Sequence, residues 1–97
     1  MKIKFSADAL DDLDDVFVYG AQSFGAAQSK KYLKYIDDNI RSISAYTQIG
    51  RLETKLNPAV RRFEVGSHVI FYEVKEDHIL VIRVLHQSRD FLSILSD

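Results

Sequence analysis

His68, His78 and His86 are the imidazoles of this sequence, and aspartates crowd its start at positions 8, 11, 12, 14 and 15. Histidine titrates near neutrality and ligates metals, and paired carboxylates perform acid–base work where a cleft raises one pKa. The spacing supports neither chemistry. No HxxH or HExxH pair occurs, and hairpin pairing is expected to place His68 on one sheet face, His86 on the other and His78 at a turn, so no metal site is expected. The chain has no Cys, which removes a disulfide framework, a thiolate zinc site and a cysteine nucleophile. Its four glycines, at 20, 25, 50 and 66, form no phosphate-cradling loop, so no cofactor is expected.

The elements that would position these groups follow from hydrophobic period. Lys2 to Phe5 alternates and reads as a short strand. Ser6 offers an N-cap to a helix from Ala7 to about Phe24, with Leu10, Leu13, Val16, Phe17, Ala21 and Phe24 in one apolar stripe. Asp8, Asp11, Asp12 and Asp15 fall opposite that stripe near the positive end of the helix dipole, so they are expected to solubilise the helix. Gly25 breaks the pattern, and Ala26, Ser29, Tyr32, Leu33, Ile36, Ile40 and Ile43 form a second stripe, giving a helical hairpin. Lys34 with Asp38, and Asp37 with Arg41, are i,i+4 pairs worth a few tenths of a kcal/mol, by the rule of about 0.2–0.5 each. Tyr46 to Pro58 loses periodicity and reads as a long connection. From Ala59 the period becomes 2, with strands at Arg61–Val65, His68–Val74 and Ile79–His86 joined by turns at Gly66-Ser67 and Glu76-Asp77. Ser88 is expected to cap a short last helix carrying Phe91, Leu92 and Leu95.

The order β-α-α-β-β-β-α defines an α+β domain over residues 1–97, an antiparallel sheet packed on the hairpin with a short C-terminal helix. In the simplest register Phe63, Val65, His68, Ile70, Tyr72, Val74, Ile79, Val81 and Leu85 share one face. Val69, Phe71, Leu80, Ile82 and Val84 share the other. One hairpin covers one face, and side chains of this size each gain roughly 1.5–3 kcal/mol by burial. The second face is therefore expected to take a protein partner, ahead of closure by the last helix or pairing of two copies. Arg83 is expected on the helix-covered face beside an acid, for which Asp14 is the candidate.

The formal net charge is −1, and residues 30–62 carry eight Lys and Arg against three acids, a local +5. A near-neutral whole is no electrostatic nucleic-acid binder, so no direct sequence-specific nucleic-acid binding is expected, while the local basic stretch suits a solvated helix face first, and otherwise an acidic partner segment or a modest phosphate contact. No apolar run approaches the roughly 20 residues of a bilayer span, so no membrane association and a cytoplasmic location are expected.

Asp12-Leu13 with Val16 and Tyr19, then Gly25, Ala26 and Tyr32, Ile49-Gly50-Arg51, Arg62, His68-Val69-Ile70-Phe71-Tyr72 and Arg83-Val84-Leu85-His86 with Arg89-Asp90 form a pattern across nearly the whole chain. It resembles the ParE toxins of bacterial type II toxin–antitoxin systems, the plasmid-stabilisation toxins of the RelE/ParE superfamily. The resemblance implies that fold and one of two activities. RelE-like members cut messenger RNA in the ribosome. By alignment, their strand arginine falls at Val69, their post-strand arginine near Gln87 and their helix tyrosine near Ser93, so that machinery is missing, with His86 and Arg89 left as possible target contacts. ParE-like members instead act without catalysis, binding DNA gyrase and trapping its cleaved-DNA complex. The resemblance implies a ParD-type antitoxin in a toxin–antitoxin hetero-oligomer. Its tail is expected to cover Val69, Phe71, Leu80, Ile82 and Val84 and to set acids against Arg51, Lys55, Arg61 and Arg62. A third class, an inactive homologue kept as a binding module, shares the fold.

Overall fold

The computed structural model describes residues 1–96. Strand β1 (Lys2–Phe5) leads into helices α1 (Ala7–Phe24) and α2 (Ala26–Ala45). Strands β2 (Arg51–Glu53), β3 (Val60–Val65), β4 (His68–Val74) and β5 (His78–His86) follow, and α3 (Phe91–Leu95) ends the described chain. Ser6 caps α1 as expected, its Oγ accepting from Ala9 N–H at 3.0 Å. Gly25, at φ 91°, separates the two helices, and both i,i+4 pairs on α2 form. Asp90 rather than Ser88 caps α3, accepting from Ser93 N–H at 3.3 Å, because Ser88 turns back to His86 instead.

The sheet order is β1-β5-β4-β3-β2. It departs from the expected topology in two ways. The connection after α2 contains β2, a three-residue edge strand antiparallel to β3, and β1 lies parallel to β5, which makes the sheet mixed. Three residues are too short a run for alternation to reveal β2; tertiary bonds hold the segment before it. The Tyr72 hydroxyl accepts from Gly50 N–H at 2.8 Å and donates to the Thr47 carbonyl at 2.9 Å. A Cβ on Gly50 would lie 2.7 Å from that ring, so only glycine lets the chain pass. Gly66 takes φ 59° in the β3–β4 turn, a left-handed conformation that glycine adopts without penalty.

One irregularity reorganises the end of β5. Pairing between β4 and β5 runs from Val74↔Ile79 to Tyr72↔Val81 and resumes at Phe71↔Arg83 with one extra residue on β5, a β-bulge. A bulge moves every later side chain to the opposite face. Val84 therefore joins the cluster under the helices, with Ile36, Ile40, Ile43, Ile70, Tyr72, Ile79 and Val81. Leu85 joins Val69 and Phe71 on the other face, so the expected places of Val84 and Leu85 are exchanged. His86 becomes the partner of His68.

The stripe of α1 is also rotated from its expected position. Leu10 and Phe24 are exposed, whereas Ala9 and Asp12 are buried. A buried aspartate needs partners, and Asp12 has three hydrogen bonds. It takes a two-pronged contact from Arg83, Nε and Nη2 each at 2.8 Å, and accepts from Val84 N–H at 2.9 Å. Asp12 rather than Asp14 is thus the partner of Arg83, and its role is to seal the outer edge of β5 past the end of β1 rather than to solubilise α1. The Asp12 hydrogen bond holds the guanidinium pKa above its ordinary value. Among the described residues no helix is long and apolar enough to cross a membrane.

Candidate functional site

Two surfaces collect the residues that the sequence singled out, one on each side of the sheet. On the side away from the hairpin, α3 folds back over the strands. Phe91, Leu92, Ile94 and Leu95 pack on Leu56, Val60, Val69, Phe71 and Leu85, with Ile82 at the margin. Val69 is 5% and Phe71 1% exposed. The face expected to be bare is therefore closed by the chain itself, since a helix with four apolar side chains in five residues gains more on this sheet than in water. Leu80 and Ile82 are half-buried at its rim, and Val84 lies on the opposite face.

The four expected cations divide in the same way. Arg51 and Lys55 are exposed, although Arg51 lies 3.6 Å from Glu64. Arg61 donates from Nη1 to the Gly50 carbonyl at 2.8 Å. Arg62 is drawn into the α3 side, its guanidinium carbon 4.6 Å from the Phe91 ring centre and 5.7 Å from that of Phe71. Glu53 stands 3.7 Å away, and Nε is buried with no hydrogen-bond partner among the described residues. Arg61 and Arg62 are spent on the fold. What stays open here is a cleft of about 410 Å³ between Lys55, Pro58, Glu73, Ile82 and Leu95.

On the hairpin side a larger groove, about 800 Å³, opens between the helices and the ends of β4 and β5. Its floor holds His68 and His86, whose ring centres are 5.4 Å apart in an edge-to-face arrangement. These rings converge, contrary to the sequence expectation, because the bulge turns His86 over. Continued from the Glu76-Asp77 turn without the extra residue, pairing would have set His68 opposite Leu85. Tyr32 Oη lies 2.6 Å from His68 Nδ1 and accepts from Ser67 N–H at 3.0 Å. Burial and the neighbouring His86 push the His68 pKa below its ordinary value of 6.5, against a smaller upward pull from Asp12. Arg89 lines the same groove with Tyr19 and Phe24, which are 68% and 70% exposed. His78 stays apart beside Asp77 at the far turn. Among the described residues no group of three or more metal-ligating side chains converges.

A two-helix hairpin on an open five-stranded sheet, with a short terminal helix on the reverse face, is shared with a solved chain titled a chromosomal ParDE TA system from P. aeruginosa. That chain superposes with a TM-score of 0.78 at 19% identity, over 89% of this chain and 95% of that one, and so shows the fold. The model of the ParE toxin of type II toxin–antitoxin system, parDE, matches residues 3–91. Toxin ParE1 of Caulobacter vibrioides is 36% identical over 85 residues, 88% of each chain. Toxin ParE1 of Mycobacterium tuberculosis is 34% identical over 80% of this chain and 81% of its own length. Toxin ParE of Escherichia coli is 27% identical over 95% of this chain and 90% of its own. The chain belongs to the ParE toxin family of type II toxin–antitoxin systems.

Proposed function

We propose that this toxin acts without catalysis, trapping the cleaved-DNA complex of DNA gyrase, and is neutralised by a ParD-type antitoxin in a hetero-oligomer. The observation that carries the non-catalytic reading is the state of Val69. Where a RelE-like nuclease would present a strand arginine to the messenger, this chain has an apolar side chain sealed beneath α3. Scission by 2′-hydroxyl attack needs a proton acceptor, a proton donor and cations on the phosphate, and Gln87 and Ser93 at the other aligned positions supply no cation. The antitoxin reading rests on the open cleft beside α3. Ile82 offers apolar surface there next to Lys55, with Arg51 exposed on β2, so an acidic, apolar tail meets both requirements at once. Leu80 lies at the rim of the same face, while Val69 and Phe71 become contacts only if the tail lifts α3.

Supercoiling and DNA cleavage by gyrase from the same host are the direct test, with and without the antitoxin. Accumulated cleaved DNA that the antitoxin reverses is the expected result. Folded toxin that leaves gyrase untouched but cuts messenger RNA on ribosomes overturns the proposal and makes His86 and Arg89 the first residues to replace. Inactivity in both assays, with the antitoxin still bound, identifies a binding module.

A further inference from the structure

We propose that the hairpin-side groove is a second binding site, which takes a partner's peptide segment carrying a carboxylate close to a large apolar side chain. The inference does not depend on gyrase being the target.

The hydrogen bonds around the two imidazoles constrain their protons. The Tyr32 hydroxyl accepts from Ser67 N–H and lies 2.6 Å from His68 Nδ1, an arrangement in which its single proton is free to go to that nitrogen. His86 Nδ1 accepts from Ser88 N–H at 3.1 Å, with Ser88 Oγ at 2.7 Å. Nδ1 is thus an acceptor in His86, and with the Tyr32 proton on Nδ1 it is one in His68 as well; a neutral ring in that state carries its proton on Nε2. Both rings line the groove, so in that state each brings it a neutral ring N–H. Arg89, three residues beyond His86 and held by a turn from its own N–H to the His86 carbonyl at 2.9 Å, adds a guanidinium that forms no ion pair among the described residues. Two neutral donors and one cation suit a single carboxylate, which Arg can grip with two parallel bonds.

The opposite wall sets the remaining chemistry. Tyr19 and Phe24 stand exposed on α1, and a large apolar side chain placed between them would bury surface that the fold leaves wet. The same wall argues against a nucleic acid. Asp15 lines the groove, Asp8, Asp11 and Asp14 are exposed on the same helix, and residues 1–29 carry a net −3. A polyanion would meet that field along its length, whereas one carboxylate beside Arg89 would not. The volume, about 800 Å³, is that of a site for a few side chains rather than for a folded domain.

Selection of phage-displayed random dodecapeptides on the full-length chain tests the proposal, followed by titration of the best synthetic peptide. The enriched sequences are expected to pair Asp or Glu with Leu, Phe or Trp. Replacing the acid by its amide, or testing Arg89→Ala or His86→Ala, is expected to weaken binding by about tenfold or more, the scale of one charge-assisted contact. Binding should shift the ¹⁵N imidazole resonances of His68 and His86, while Lys34→Ala on the outer face of α2 should leave affinity unchanged. No enriched sequence, enrichment of peptides without acids, affinity indifferent to both groove variants, or tighter binding of a single-stranded oligonucleotide would each overturn it.

Discussion

Arg83 and Arg62 occupy the two sides of one sheet and are held by opposite means. On the hairpin side Arg83 has a two-pronged carboxylate, and that carboxylate also closes a strand edge. On the α3 side Arg62 lies against a pair of packed phenyl rings, with its acid at 3.7 Å and one nitrogen unpartnered among the described residues. The first arrangement ties residue 12 to residue 83 and fixes how two long helices sit on the sheet. The second depends on a helix of five residues, too short to be stable without tertiary packing. One side of this toxin is locked by a directional bond network and the other is covered by replaceable apolar contacts. The second kind of construction is the easier one to open, because releasing α3 breaks few hydrogen bonds.

Asp12→Ala should give the largest effect. It leaves Arg83 half-buried without its partner and Val84 N–H without an acceptor, and is expected to cost about 3 kcal/mol in urea unfolding. Asp14→Asn should stay within about 0.5 kcal/mol, as surface changes do. Equal losses at the two positions would erase the distinction between a lock and a charged helix face. Phe91→Ala should cost less, about 1–2 kcal/mol, below the range for a fully buried Phe because the ring is only half-buried. It should also raise dye binding to the uncovered Val69 and Phe71. A loss as large as that of Asp12→Ala would mean that α3 is integral to the core.

The smallest effect concerns His68, at the margin of the locked side. Its folded pKa lies below 6.5, with Tyr32, His86 and Asp12 facing it. The unfolded chain therefore binds its proton first, and the stability from this residue is present above pH 6.5 and lost as pH falls through the folded pKa. Urea midpoints at pH 7.5 and 5 should differ less in His68→Gln than in wild type. An identical drop would place the acid sensitivity elsewhere.

The hairpin and the main strands were legible because their periods are clean: Ile36, Ile40 and Ile43 are as buried as their stripe requires. Recognition of the family pattern came from the strand and tail residues around Tyr72 and His86. The bulge was not legible, since no Gly or Pro marks Val81-Ile82-Arg83, and that single extra residue misplaced Val84, Leu85 and His86 together. Asp12 read as a solvent residue for a related reason. An acid in a buried stripe makes sense only once a distant strand delivers a cation to it. α3 was visible as a pattern, but its docking on Val69 and Phe71 depends on the turn after His86, which no local rule fixes.

The pairing of β1 with β5 bears on how this toxin is made. Strand β1 finds its neighbour in β5, more than seventy residues further along the chain, with Lys2 opposite His78 and Phe5 opposite Val81. Contacts so distant in sequence carry a high loop-closure cost and form slowly. A nascent chain that has emerged only as far as β4 has no neighbour for β1, no cation for Asp12 and no strand edge for Ser6 to serve. The sheet and its Asp12–Arg83 lock therefore close only when β5 arrives, so folding of the N-terminal strand waits on synthesis of residues 78–86.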